Sequence, residues 1–164
     1  GYLSRIILSD MVLLTPIVAV LIVLVLFFSF HSKRGILLPF TTVVLSTLWG
    51  FGAMVLLGYQ ITLITGIFPV LMLAIGSAYG IHMVNKYYED IRLNSHSQTA
   101  TQKALAEVGI PIILAGLTTL FGFLSLLTSN LSLIQQFGIV SAMGVLFALL
   151  ASITFLPASL SQMS

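Results

Sequence analysis

No Asp, Glu, Lys or Arg occurs between residues 11 and 32, between 35 and 85, or from 108 to 164. Runs this long without charge cannot present a solvated surface. A helix needs about 20 mostly apolar residues to cross the roughly 30 Å hydrocarbon core of a bilayer. Five stretches meet that need, at about 11–30, 36–57, 61–85, 108–128 and 137–160. They are continuously apolar and lack the period-2 alternation of barrel strands. The expected fold class is an all-α membrane protein, a five-transmembrane-helix bundle. Charged residues are only 6% of the 164, against about 25% in a soluble domain. That balance excludes an ordinary soluble enzyme and a disordered tail. It also excludes a nucleic-acid partner, because six Lys and Arg cannot track a phosphate backbone.

The few charges fix an expected orientation. Lys33 and Arg34 follow the first span, and Lys86, Arg92 and Lys103 lie between the third and fourth. The other two loops carry no charge. Five of six basic residues therefore share one side, which the positive-inside rule makes cytoplasmic. This predicts a multi-pass protein of the cytoplasmic (inner) membrane, amino terminus outside and carboxyl terminus inside. Residues 1–10 lack an initiator Met, a basic n-region and a cleavage site. The expectation is a fragment of a larger protein whose upstream part carries the amino terminus across. The polar stretch of about 86–107 is expected to hold a cytoplasmic interfacial helix or a solvated loop.

Without water to expel, membrane helices associate through small residues that let backbones approach. Gly76 and Gly80 in the third span, Gly116 and Gly122 in the fourth and Gly138 in the fifth are the expected packing positions. Pro39 and Pro111 are placed near helix starts, where the missing N–H costs little. Pro16 and Pro69 are placed deeper, as kinks. Trp49, Tyr59, Tyr87 and Tyr88 are expected at the membrane interfaces.

Signals for enzymatic chemistry are scarce. The chain has no cysteine, no paired carboxylates within a span, no His-x-x-x-His and no Gly-x-Ser-x-Gly. No catalytic residue, metal site or cofactor is assigned. One stripe of the third span is polar: Ala78, His82 and Asn85 or Lys86 recur at helical spacing, and Tyr79 and His82 stand three apart. An imidazole is costly in hydrocarbon, so His82 is expected to face the bundle or a wet cavity. With a reference value near 6.5, imidazole is a natural proton carrier. Thr118 and Thr119 on the fourth span offer hydroxyls to the same stripe. Tyr79, His82, Thr118 and Thr119 are therefore the proton-relay candidates. His82 is also only four residues from Lys86, where it can bond a carbonyl or headgroup. The two threonines can equally bond their own helix backbone.

Two stretches carry a family resemblance. Ala74-Ile-Gly-Ser-Ala-Tyr-Gly-Ile-His-Met-Val-Asn-Lys-Tyr-Tyr-Glu-Asp90 resembles the fourth-helix pattern Gly-x-Asp-Tyr-x-Ile-His of RND-superfamily permeases, with its basic, aromatic, acidic exit. Ala104 to Leu127 resembles the fifth helix, and Phe137-Gly138 with Leu156-Pro157-Ala158 resembles the sixth. The chain is most similar to the MMPL-like, predicted-exporter branch, whose five-span unit is shared with sterol-sensing domains. The resemblance implies that the five spans are helices two to six of one transmembrane half. It further implies a second such half, extracytoplasmic domains, membrane lipids and a hydrophobic or amphipathic substrate as partners, with homo-oligomerisation open. The implied activity is export of lipids or other hydrophobic compounds driven by proton flow through acidic residues of the middle helices. Here Ala78 replaces the family Asp. Either this half is the non-titrating partner, or His82 substitutes, or coupling differs. The alternative is a non-transporting, sterol-sensing-like module that binds lipid and scaffolds partners.

Overall fold

The computed structural model describes residues 2–29, 33–62, 64–93 and 96–162. Six helices follow one another: α1 (Tyr2–Ser29), α2 (Lys33–Leu56), α3 (Phe68–Arg92), α4 (Ser97–Leu124), α5 (Ser132–Ile153) and the short α6 (Phe155–Ser161). There is no strand among the described residues. Gly35–Leu56, Thr65–Arg92, Ser97–Thr128 and Ser132–Ser161 are each long and apolar enough to cross a membrane. α1, with 28 residues, has the length to do so as well. The end of the first span at Phe30, and His31, Ser32, Asn94 and Ser95 in the loops, lie outside the described residues, as do the side chains of Arg5 and Asp10.

α3 and α5 form the centre. In their most apolar stretches 56% and 50% of residues are buried, against 11% in α4. α2 and α4 pack on both central helices, and α1 lies mainly against α3. α2 and α3 run antiparallel, as do α4 and α5. A Cβ on Gly76 would touch Val43 and one on Gly80 would touch Pro39, so α2 descends as α3 rises. Likewise Gly116 faces Leu149 while Gly138 lies against the Phe123 carbonyl and Leu126.

Apolar length marks the spans, but helix ends follow local hydrogen bonding. Gly58, with φ +71°, closes α2. Its N–H donates to the Val55 carbonyl and that of Tyr59 to the Met54 carbonyl, each at 3.0 Å. This is the Schellman arrangement, in which glycine takes the left-handed position after the helix. The third helix does not begin near residue 61 as expected. Thr62 and Thr65 exchange bonds, each backbone N–H donating to the other's Oγ1 at 2.7 and 3.2 Å. A 3-10 turn (Thr65–Ile67) follows, and only then α3. Pro69 thus sits in the first turn of α3, where it costs nothing, rather than at a kink. The opposite correction applies to Pro111 and Pro39, which lie within α4 and α2.

The stretch 86–107 holds no separate helix. Residues 86–92 complete α3 and 97–107 begin α4, because Gln, Lys, Ala, Leu and Glu favour the helix whether or not they are apolar.

Small residues set the helix spacing. The Phe68 ring is fully buried between α2 and α5. A Cβ on Gly144 would stand 2.7 Å from this ring, and one on Gly50 would overlap it. Two glycines thus form the walls of the slot. Gly122 is different: among the described residues nothing lies within 4 Å of where its Cβ would be, so no neighbouring helix packs on it at that point. Gly144→Ala is expected to lower stability by about 1–3 kcal/mol through overpacking. Gly52→Ala, into open space on the same bundle, should change it by less than about 0.5 kcal/mol. Thermal unfolding in detergent compares the two.

Candidate functional site

α3 is polar on two sides. Its buried side carries Tyr79, 6% exposed, held among Met83, Ile112 and Leu149 in the core that joins α3, α4 and α5. The Tyr79 hydroxyl comes close to Thr119 without reaching hydrogen-bond geometry, and among the described residues it has no other partner. Thr119 donates its one proton to the Ala115 carbonyl at 2.8 Å, so in this pair only the phenol can be the donor. Tyr79 and Thr119 are therefore brought together.

His82 and Thr118 are not. His82 is exposed, together with Ala74, Ala78 and Asn85, on one stripe of α3 that faces away from the bundle. The imidazole makes no hydrogen bond to any described residue. Of the two expected settings, the bundle interior or a wet cavity, the first is not the one His82 occupies within this chain. Thr118 is exposed on α4 and donates to the Leu114 carbonyl at 2.8 Å. α4 also exposes Pro111, Ala115 and Gly122 at matching helical intervals. Two helices thus show small residues on their outer faces, with one imidazole and one hydroxyl set among them.

One turn beyond His82 the helix becomes charged. Lys86 Nζ lies 3.0 Å from Glu89 and 2.8 Å from Glu107 of α4, closing the α3–α4 hairpin. Tyr87, expected as an interface anchor, is instead 3% exposed. Its hydroxyl is 2.8 Å from Ser97 Oγ at the start of α4, and Ser97 Oγ donates to the Leu160 carbonyl of α6 at 2.8 Å. A serine has one hydroxyl proton, so Tyr87 must be the donor to Ser97. The chain Tyr87→Ser97→Leu160 links three helices. Asp90 shares this buried side at 4% exposure, with Oδ2 unpartnered. The sequence offered only one hint of these groups, the Tyr-Tyr-Glu-Asp run ahead of a helix-starting serine. Among the described residues no three His, Cys, Asp or Glu stand close enough to hold a metal.

The two buried tyrosines should respond oppositely to loss of the hydroxyl. Tyr87→Phe is expected to cost about 0.5–1.5 kcal/mol, the net worth of one hydrogen bond. Tyr79→Phe removes an unpartnered group and should leave stability equal or higher. Unfolding midpoints of the two variants, measured side by side, check this.

Comparison with known proteins finds a family model, described as the MMPL family, matching residues 3–164. A membrane protein of Methanocaldococcus jannaschii is 30% identical over 142 residues, covering 87% of this chain and 36% of its own length. The hopanoid transporter HpnN of Rhodopseudomonas palustris is 26% identical over 145 residues, covering 88% of this chain and 17% of the transporter. The sulfolipid-1 exporter MmpL8 of Mycobacterium tuberculosis is 26% identical over 88 residues, covering 54% of this chain and 8% of the exporter. The chain spans about a third or less of these relatives.

Proposed function

The chain belongs to the MMPL family, and from that premise we propose that it is the membrane domain of a proton-driven exporter of lipids or other hydrophobic compounds. Relatives that carry substrate names, the hopanoid transporter and the sulfolipid-1 exporter, both handle lipids. The observation that supports the reading is the outer face of α3. An imidazole exposed among alanines on an apolar helix is expensive in hydrocarbon. The alanines that share its stripe, Ala74 and Ala78, suit the close approach of another helix.

In this reading a second transmembrane half covers Ala74, Ala78 and His82, and supplies the carboxylate that Ala78 lacks. His82 is then the group of this half that exchanges protons with it. Tyr79 and Thr119, just inside, are the next polar groups toward the bundle core. The five long helices α1–α5 cross the inner membrane as helices two to six of the half, with the Lys86 end cytoplasmic. Extracytoplasmic domains of the same protein carry the substrate outward as the halves rock.

The rival reading, a lipid-binding module without transport, draws on Ala78, since a titratable group is absent where the pattern has one. Reconstitution of the full protein in vesicles with an imposed pH gradient separates the two. Export of a fluorescent amphipathic lipid driven by the gradient is the expected result. His82→Ala should slow it by about tenfold or more, as loss of a positioned proton-transfer group does. Ala78→Asp should shift its pH dependence, and Tyr59→Phe should leave it unchanged. Binding of the lipid with no flux in the wild type would favour the module. Full export in His82→Ala would remove His82 from the relay.

A further inference from the structure

We propose that α6 is a latch: a short helix hinged on α5, fastened to the α3–α4 hairpin by the Tyr87→Ser97→Leu160 hydrogen-bond chain, whose release opens the charged end of the bundle between α4 and α6. This inference is independent of the transport reading.

The hinge comes from the backbone. Thr154, at φ −117° and ψ −67°, separates α5 from α6. Three residues on, Pro157 has no N–H to offer the Ile153 carbonyl, so the helical ladder is interrupted where it turns. Thr154 Oγ1 donates to the Leu150 carbonyl at 2.6 Å and closes the end of α5. α6 is thereby a seven-residue body attached through one irregular residue.

The fastening comes from the other side. Leu156 and Leu160 are fully buried against a core that includes Tyr87, Ala100 and Ala104, residues of α3 and α4. The polar link to that hairpin is the 2.8 Å bond from Ser97 to the Leu160 carbonyl, and Ser97 is held in turn by Tyr87 at 2.8 Å. α5 is anchored elsewhere, by Gly144 against Phe68 and Met72 and by Gly138 against Phe123. α5 reaches the core of α6 through Ala148, Leu149 and Ile153 in its last turns, whereas its earlier residues Val140 and Val145 belong to a separate cluster with Phe68 and Met72.

A latch needs an opposing tendency, and Asp90 supplies it. Its carboxylate is 4% exposed with Oδ2 unpartnered, one turn beyond Tyr87 on the same side. A buried carboxylate oxygen without a donor gains hydration when the end opens. The closed state therefore holds a cost that the open state relieves.

Amide hydrogen exchange on the chain in lipid nanodiscs tests this. Ser97→Ala and Tyr87→Phe should each speed exchange of residues 156–162 by about two- to tenfold, the effect of one net hydrogen bond. Residues 136–152 should change by less than about twofold. Ser97→Thr keeps the hydroxyl and should retain wild-type rates, and Asp90→Asn should slow exchange in α6. Acceleration of α5 and α6 together, or no change in α6, would overturn the latch. Faster exchange in Asp90→Asn would overturn the opposing role of Asp90. If Ser97→Ala does not fold, Tyr87→Phe, which keeps the Ser97–Leu160 bond, decides by the same criteria.

Discussion

The bundle depends on how closely its backbones approach. In a bilayer, lipid tails are as apolar as the helices, so burial of leucine against leucine gives little preference for protein over lipid. What remains is packing, and it is densest where side chains are missing. The Phe68 ring fits between α2 and α5 because Gly50 and Gly144 offer no Cβ. α3 meets α2 at Gly76 and Gly80, where the second contact reaches the Pro39 backbone. α4 meets α5 at Gly116 and Gly138. The exposed leucines and valines of α1, α2 and α4 are the complement of this, since they fill the lipid-facing surface that packing leaves over.

That physics decides what can be read from the residues. Five apolar stretches of membrane length follow from the sequence alone, and four of them coincide with helices long and apolar enough to span, because hydrocarbon tolerates no unpaired backbone. Their ends do not follow from apolar length. α4 starts eleven residues before its apolar stretch because helix propensity ignores polarity there, and α3 starts seven residues late because two threonines cap each other. Such reciprocal Thr-x-x-Thr bonding is a weaker signal than a Ser or Thr with Glu three residues on. Glycine spacing is likewise ambiguous. Gly50 and Gly122 are each one small residue in an apolar helix, yet one lies against the Phe68 ring and the other has open space among the described residues where its side chain would be.

The polar groups divide in the same way. Tyr79, His82 and the two threonines were identifiable because polarity is rare in these spans. Helical spacing put them on neighbouring faces, but periodicity cannot tell which of those faces meets the bundle. α3 buries the side with Tyr79 and leaves the side with His82 open, a difference of about 60° in position on the helix. The Tyr87–Ser97–Leu160 chain was less legible still. Its last acceptor is a backbone carbonyl, which every residue has, and Leu160 is sixty-three positions from Ser97.

These two sets of polar groups differ in what completes them. The chain at the charged end closes on itself: the Tyr87 and Ser97 hydroxyls each have their acceptor within the bundle, and beside them Asp90 Oδ2 is an acceptor without a donor. His82 is in the opposite condition. No described residue bonds it, and Ala74 and Ala78 precede it on the same stripe, so a partner helix can come within backbone contact there. A buried histidine can be satisfied by its own fold, whereas an exposed one on an apolar helix is satisfied only by something outside. In the proposed reading the chemistry at His82 is a property of an assembly, and substitutions there should bear on function far more than on the stability of this chain. At Ser97 and Tyr87 the balance is reversed, because the groups they hold together are all within it.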